Sequence, residues 1–212
     1  MESLSLMTNI NHVEKNIIHY KNLIEDPSAF IKMIEDTEFI LDRDPQIHKW
    51  NDWYSSDGDG SKPVRLFGKN KNARFVDPQS DTTNGLKAHL VTKKIKDVVT
   101  QCALDYQDRT NIKIGFLPDH FSIKKYDELA YMGPHVDYEG EGKTDFYPTI
   151  SMVFYLNDNY QGGELKFPEQ DILISPEAGS LVVFPSHKPY YHDPKPVTSG
   201  VKYMVPLFWF DN

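Results

Sequence analysis

The sequence contains very little cysteine: Cys102 is the only one among 212 residues. A disulfide within the chain is therefore excluded, and such sparse cysteine usage is typical of the reducing cytoplasm. The first residues, Met1 to His12, lack the basic region and the apolar segment of a secretory signal peptide. We therefore expect a cytoplasmic protein.

Long apolar runs and basic runs are also missing. The longest apolar stretch, Val201 to Phe210, contains Lys202 and Pro206 and is far shorter than the roughly 20 residues of a membrane-spanning helix. The chain carries 31 acidic against 23 basic residues, a formal net charge of -8, which disfavours binding to the phosphates of nucleic acids. We therefore expect that the protein binds neither membranes nor nucleic acids.

Aromatic residues, by contrast, are abundant. They make up 13% of the sequence, with 12 Tyr and 12 Phe, which is typical of a folded chain and not of a disordered one. A length of 212 residues suffices for one domain with a closed core. We expect a single domain over 1–212, with a helical support and lid region over about 1–115 and a barrel over about 116–212.

The first half of the chain predicts two helices. Pro27 suits the first turn of a helix that continues to about Phe39. Thr83 to Asp108 has apolar residues at three- and four-residue steps, the pattern of an amphipathic helix. Before them, Ile17 to Leu23 predicts a short strand, although Glu14 to Ile24 also fits a helix.

The segment between these helices, Asp42 to Ser80, combines turn-forming residues with aromatic ones. Its aromatic residues include Trp50, Trp53 and Tyr54, which serve equally well for local packing or for covering a site. We interpret the segment as a long loop, and loops of this kind often carry or cover functional sites.

After Asn111 the pattern changes to short runs rich in Val, Ile, Phe and Tyr, separated by Gly, Pro and Asp. Closely spaced short strands with turn signals predict a sandwich or barrel, so the fold class is α+β. The predicted strands are Phe121 to Tyr126, Thr149 to Leu156, Glu164 to Phe167, Asp171 to Ile174, Leu181 to Phe184, and Lys202 to Phe210.

A candidate metal site begins at His135-Val-Asp137. Side chains two positions apart point the same way from an extended strand. Two imidazoles and one carboxylate form the facial triad of non-haem Fe(II) oxygenases, so a second histidine is required. His187 and His192 both lie near the next strand, and the residues alone leave either one open as a surface histidine.

The C-terminal half resembles the catalytic core of the prolyl 4-hydroxylase type of 2-oxoglutarate- and Fe(II)-dependent dioxygenases, from about Tyr126 to Phe210. The order and spacing of several short motifs carry this resemblance. These motifs are His135-Val-Asp137, Tyr155-Leu-Asn157, Gly162-Gly-Glu-Leu165, Phe167-Pro168, Gly179-Ser-Leu181, Phe184-Pro-Ser186, His192 with Pro196-Val197, and Gly200-Val-Lys202-Tyr203.

The resemblance implies that the fold is a double-stranded β-helix (jelly-roll) barrel braced by N-terminal helices. It also implies His192 as the third metal ligand beside His135 and Asp137, because in the family a Pro-Val pair and a basic residue follow the distal histidine. Lys202 is then expected to pair with the distal carboxylate of 2-oxoglutarate, whereas by itself it also suits a solvated strand position.

Two tyrosines complete the expected co-substrate site. The resemblance places Tyr155, before Leu156-Asn157, and Tyr126, nine residues before His135, where the family often has hydroxyl groups near 2-oxoglutarate. The implied cofactors are Fe(II), with 2-oxoglutarate and O2 as co-substrates, and ascorbate is a candidate reductant.

The expected reaction is hydroxylation of an unactivated C–H bond with release of succinate and CO2. The resemblance favours a prolyl residue in a peptide or protein as the substrate, and a free amino acid or another small molecule is the alternative. A non-enzymatic jelly-roll binding module is the competing class. A structural zinc site in such a module is disfavoured, since zinc sites often use several cysteines and Cys102 lies far from the motif.

Overall fold

The computed structural model describes residues 10–41, 51–52, 73–76, 85–118, 121, 123–130, 132–140 and 147–211. Two helices lie in the first half, α1 (Pro27–Leu41) and α2 (Gly85–Thr110). The strands, in chain order, are β1 (Ile10–Glu14), β2 (Ile17–Tyr20), β3 (Asn51–Asp52), β4 (Ala73–Val76), β5 (Ile123–Tyr126), β6 (Pro148–Tyr155), β7 (Gln161–Gly162), β8 (Leu165–Phe167), β9 (Ile172–Ile174), β10 (Ser180–Pro185), β11 (Asp193–Pro194), β12 (Val197–Ser199) and β13 (Lys202–Phe210).

The larger sheet has eight strands in the order β1-β2-β10-β6-β13-β5-β4-β3, and its neighbouring strands are antiparallel. Two smaller sheets, β11-β8-β9 and β12-β7, come from the segments between β6 and β13. Apart from β1 and β2, the strands that are adjacent in the large sheet are far apart in the sequence, so the fold depends on long-range pairing.

One face of the large sheet packs against the helices. In β13 the odd-numbered residues Tyr203, Val205, Leu207 and Trp209 lie in the same apolar cluster as Val99 and other residues of α2. An ion pair and a hydrogen bond add to this contact: Glu35 of α1 accepts from the Lys125 ammonium at 2.8 Å and from the Tyr203 hydroxyl. The helices therefore brace the outer face of the sheet.

The opposite face of the large sheet is lined by the alternate residues of the same strands. Tyr155 of β6 and Met204 of β13 belong to a second apolar cluster, together with Leu165 and Phe167 of β8 and Ile174 of β9. Because side chains alternate between the faces of a strand, each central strand contributes to both clusters. The second cluster lies between the large sheet and the smaller ones, and it surrounds the candidate site.

Most of the predicted elements are present, with shifted ends. The helix from Pro27 ends at Leu41, and the long helix spans Gly85–Thr110. The six strands predicted after Asn111 correspond to β5, β6, β8, β9, β10 and β13. Cys102 on the long helix is buried, and burial raises the pKa of its thiol to about 12.

Two interpretations of the first half are wrong. The helical alternative for Glu14 to Ile24 fails because Lys15 and Asn16 take φ values of 50° and 62°, which form the tight turn of a β1-β2 hairpin. The segment Asp42 to Ser80 is not entirely a loop, since β3 and β4 pair at the edge of the large sheet. Its aromatic residues Trp50, Trp53 and Tyr54 lie outside the described residues.

Neither described helix is both long and apolar enough to cross a lipid bilayer.

Candidate functional site

The site is built on a backbone bridge between two distant segments. His135 and His192 face each other in antiparallel fashion, and each N–H donates to the other's carbonyl, at 2.9 and 2.8 Å. Asp137 follows His135 by two positions, with the buried Val136 pointing away between them. This bridge brings the predicted third histidine to the His-x-Asp motif.

The three side chains form a compact cluster. His135 Nε2 lies 3.3 Å from Asp137 Oδ1, and His192 Nε2 lies 3.8 Å from Asp137 Oδ2. The candidate ligand atoms of all three lie within 4.8 Å of one another. Within the part of the chain that the structure describes, this is the group of His, Cys, Asp and Glu that could hold a metal ion.

The ring orientation of each histidine is set by a backbone carbonyl. His135 Nδ1 lies 2.7 Å from the carbonyl of Gly133, and His192 Nδ1 lies 3.2 Å from the carbonyl of Tyr190. A carbonyl can only accept a hydrogen bond, so both Nδ1 atoms carry the proton in the neutral rings. In the neutral rings, Nε2 then carries the lone pair that a metal ligand requires. In protonated His135, Nε2 carries a proton instead and donates it to Asp137.

Burial and charge act in opposite directions on these groups. Burial lowers the pKa of His192 to about 4, although Asp137 partly offsets this effect, so His192 is neutral at physiological pH. Burial also raises the pKa of Asp137, but hydrogen bonds from His135 and Ser151 and the nearby imidazoles hold it below its usual range. At His135 the hydrogen bond and charge of Asp137 outweigh burial and raise the pKa.

The surroundings of the cluster restrict its movement. The rings of Phe184 and Phe167 lie 4.9 and 5.9 Å from the ring of His192. On the other side, Ser151, which bonds Asp137, shares a hydrogen bond of 2.8 Å with Ser186. These contacts restrict the positions of the His192 ring and of the Asp137 carboxylate.

His187, the other candidate from the sequence, lies elsewhere. Its side chain is exposed, and its Nδ1 contacts the carbonyl of Lys188 at 2.6 Å. It is not part of the cluster. The structure therefore brings His192, and not His187, to His135 and Asp137.

Lys202 occupies a buried position between two aromatic rings. Its Nζ lies 5.1 Å from the ring centre of Tyr155 and 5.8 Å from that of Tyr126, and it donates to the carbonyl of Gly163 at 2.8 Å. Burial lowers its pKa to about 7, with a small opposing effect from Glu164. The alternative of a solvated strand lysine is thus excluded, since only 6% of the residue is exposed.

Both parts of the site open into one cavity of about 330 Å³. Its wall includes the three clustered side chains as well as Tyr126, Tyr155 and Lys202. Burial keeps the hydroxyls of both tyrosines protonated by raising their pKa. The cavity therefore joins three side chains that could hold a metal ion to an end that has the Lys202 ammonium group and two tyrosine side chains.

A family model decides how this arrangement is classified. Residues 121–211 match the model of the 2OG-Fe(II) oxygenase superfamily. This part of the chain is similar to that superfamily, whose description names Fe(II) and 2-oxoglutarate. The matched residues include the whole cluster and Lys202. A search of curated protein sequences finds no match to the chain.

Solved structures of prolyl hydroxylases have a similar fold. One from Trichoplax adhaerens, in complex with a peptide of hypoxia inducible factor, has a TM-score of 0.64 at 16% identity, over 99% of this chain and 87% of that one. A viral collagen prolyl hydroxylase from Paramecium bursaria Chlorella virus-1 gives 0.61 at 14%, over 93% and 97%. The Pseudomonas putida prolyl-4-hydroxylase gives 0.59 at 14%, over 99% and 97%. The predicted fold class, a double-stranded β-helix with helical bracing, is confirmed.

The residues of the matched region fit the groups that this superfamily uses. Two Nε2 lone pairs and one carboxylate would supply the donor set of a non-haem Fe(II) site, and the neutral rings have the required tautomer. At the other end, burial lowers the pKa of the Lys202 ammonium, and an anionic ligand would offset the cost of burying this charge.

Sequence reasoning missed two residues of the site. The carbonyl of Gly163 accepts the hydrogen bond of Lys202, and Gly163 lies beside the Lys202 side chain. Lys124 lines the cavity and is buried. The alternation of β5 was the available signal, since Lys124 must face the same side as Tyr126.

Proposed function

We propose that the protein is an Fe(II)- and 2-oxoglutarate-dependent dioxygenase that hydroxylates an unactivated C–H bond. The observation that carries this proposal is the joint presence, in one cavity, of the His135-Asp137-His192 cluster and the buried ammonium of Lys202. A metal site alone would serve many reactions. A metal site beside a buried cation matches a co-substrate that chelates iron at one end and carries a carboxylate at the other.

The residues take distinct roles in this proposal. His135, Asp137 and His192 hold Fe(II) and leave the remaining coordination positions open to the cavity. Lys202 forms an ion pair with the distal carboxylate of 2-oxoglutarate, and Tyr155 and Tyr126 contribute hydroxyl groups near it. When bound, the iron with its co-substrates supplies the oxidising chemistry that removes hydrogen from carbon, with release of succinate and CO2.

The apolar wall of the cavity has a role of its own. Met204, Pro206 and Phe208 follow one another along the inward face of β13, and they line the cavity with Val153 of β6. Such a wall excludes water from the oxidising centre and strengthens the ion pair at Lys202, because the local dielectric is low.

We infer that the substrate is a prolyl residue in a peptide or protein. This inference draws on the similarity of the motifs to the prolyl 4-hydroxylase type and on the fold shared with prolyl hydroxylases, of which one is bound to a peptide. Both arguments rest on similarity to other proteins, so the substrate is tested separately from the reaction class.

The reaction class is tested by incubating the protein with Fe(II), 2-oxoglutarate, ascorbate and oxygen, and measuring succinate. We expect succinate release in the wild-type protein and none in Asp137→Ala. Omission of ascorbate tests whether the protein depends on this reductant. If metal binding and succinate release persist in Asp137→Ala, the cluster does not hold the iron and the proposal fails.

The substrate is tested by presenting proline-containing peptides and reading the products by mass spectrometry. A prolyl hydroxylase adds the mass of one oxygen atom to the proline residue and accelerates succinate release with the same peptide. His187→Ala serves as a matched control, because it removes a histidine outside the cluster. If a free amino acid accelerates succinate release and no proline-containing peptide does, the substrate is a small molecule and the peptide hypothesis is wrong.

A further inference from the structure

Two buried serines lie beside the carboxylate of the His135-Asp137-His192 cluster. Ser151 in β6 and Ser186, directly after β10, are each only 1% exposed, and their Oγ atoms lie 2.8 Å apart. Ser151 lines the cavity together with Asp137, and its hydroxyl hydrogen-bonds the Asp137 carboxylate. Ser186 therefore reaches the carboxylate through Ser151.

Backbone hydrogen bonds fix both serines relative to Asp137. The N–H of Ser186 donates to the carbonyl of Thr149 at 3.1 Å, and the carbonyl of Ser186 accepts from the N–H of Tyr138 at 2.9 Å. Thr149 lies in the same strand as Ser151, and Tyr138 directly follows Asp137. Ser186 thus ties the strand that carries one hydroxyl to the segment that carries the carboxylate.

The number of protons decides the direction of the hydrogen bonds in this chain. A serine hydroxyl has one proton to donate, and an ionised carboxylate can only accept. Because Ser151 gives its proton to Asp137, the bond between the two serines must run from Ser186 to Ser151. A hydroxyl that accepts one hydrogen bond donates a stronger one, since the bonds of such a chain polarise one another.

The bond from Ser151 is the contact of the carboxylate that a bound metal ion leaves in place. The other polar neighbours of Asp137 are the Nε2 atoms of His135 and His192, at 3.3 and 3.8 Å from its two oxygens. A metal ion takes the lone pairs of both Nε2 atoms, so neither ring can then donate to Asp137. The torsion of an aspartate carboxyl group is soft, and Ser151 remains to hold it.

We propose that Ser151, supported by Ser186, is a positioning residue that holds the Asp137 carboxylate in its orientation for the metal ion. This inference rests on metal binding by the cluster, which is part of the proposed function. A carboxylate that is already held loses less freedom on binding. Partners that hydrogen-bond to metal ligands typically change the metal affinity roughly 10- to 100-fold.

The test measures metal affinity by calorimetric titration and does not depend on turnover. Mn(II) is the probe, because it is next to Fe(II) in the order of metal affinities. Ser151→Thr and Ser151→Val are compared, since their side chains have similar volumes and differ by the hydroxyl group. We expect Ser151→Val to bind Mn(II) roughly 10- to 100-fold more weakly than the wild type, and Ser151→Thr to restore the affinity.

Ser180 supplies a matched control. It is also a fully buried serine, in β10, but its hydroxyl donates to the carbonyl of Glu177 at 2.7 Å and not to the cluster. Ser180→Ala should lower the melting temperature and leave the affinity for Mn(II) unchanged. Melting temperatures without metal establish that each variant is folded.

A double-mutant cycle tests the role of Ser186. Ser186→Ala should weaken Mn(II) binding less than Ser151→Ala does, because Ser151 keeps its proton for Asp137. In a protein that already carries Ser151→Ala, the second substitution should have no further effect, since the hydroxyl through which Ser186 acts is gone. The cycle uses alanine at both positions, so it also decides the question if a β-branched side chain at position 151 prevents folding.

The outcomes separate this inference from the function on which it rests. Equal Mn(II) affinities of Ser151→Val, Ser151→Ala and the wild type overturn the role of Ser151, and so does an equal loss in folded Ser180→Ala. Additive losses in the cycle overturn the role of Ser186. If the wild type does not bind Mn(II), or Asp137→Ala binds it equally well, the proposed function fails instead.

Discussion

His135 and His192 are joined by two backbone hydrogen bonds, of 2.9 and 2.8 Å, that face each other across the candidate metal site. Their rings lie 4.2 Å apart at an angle of 62°. The carbonyls of Gly133 and Tyr190 hold the two Nδ1 atoms. The backbone bridge and these two carbonyls thus set the positions and orientations of the two imidazoles.

Removal of the distal histidine should abolish metal binding. In His192→Ala the site loses one of its three donors, and we expect the affinity for Fe(II) or Mn(II) to fall at least about 100-fold, beyond the effect of losing a supporting hydrogen bond. His187→Ala should bind metal like the wild type, since His187 is exposed and outside the cluster. Titration calorimetry measures both, and the reverse order of effects would refute the assignment of His192.

The affinity for 2-oxoglutarate should fall as the pH rises above about 7. Burial lowers the pKa of Lys202 to about 7, whereas an ion pair with the co-substrate favours the protonated form and raises it. Binding then takes up a proton above pH 7, and the dissociation constant should rise about tenfold per pH unit. Below pH 7, Lys202 is already charged and its contribution is constant.

An arginine separates this effect from other titrations. Arginine stays charged throughout this range, so Lys202→Arg should flatten the pH profile. Lys202→Met should lower the affinity for 2-oxoglutarate at all pH values and leave the affinity for the metal unchanged. Calorimetry in buffers of different ionisation enthalpy reports the proton uptake directly, and an unchanged pH profile in Lys202→Arg would contradict the role of Lys202.

A methyl group at Gly163 should disturb the co-substrate end. A Cβ there would lie 2.9 Å from Cε2 of Tyr160 and 3.2 Å from Cδ of Lys202, and the backbone has a φ of 71°. We expect Gly163→Ala to displace Lys202 and raise the KM for 2-oxoglutarate. Gly140→Ala is the control, because Gly140 has a similar φ of 76° but no described residue within 4 Å of a Cβ at this position. Equal effects of the two substitutions would mean that backbone strain alone is responsible.

The contact between the large sheet and the helices should dominate stability. Leu181 is fully buried in the apolar cluster between the large sheet and the helices. Its substitution by alanine should lower the free energy of unfolding of the protein by about 2–5 kcal/mol. Leu173 also lies in a strand but is 61% exposed, so Leu173→Ala should change the stability by less than about 0.5 kcal/mol. Chemical denaturation measures both, and similar losses would place the main core elsewhere.

Local chemistry made much of the fold predictable from the sequence. Pro27 marked the start of the first helix because its fixed φ suits a first turn, and the three- and four-residue steps before Asp108 marked the second. Strand residues after Asn111 were recognisable from short β-branched and aromatic runs between turns. The β1-β2 hairpin was missed because its turn residues, Lys15 and Asn16, are not the Asn-Gly or Asp-Gly pair that normally marks such a turn.

The sequence by itself determined the types of residue at the site and, through the order of its motifs, the family that the C-terminal half resembles. Only the tertiary structure decided which of them meet. His192 lies beside His135 because a backbone bridge joins segments that no local pattern connects. The inward positions of Lys202 and Lys124 follow from the register of β5 and β13, and register is a property of paired strands that a single strand cannot specify.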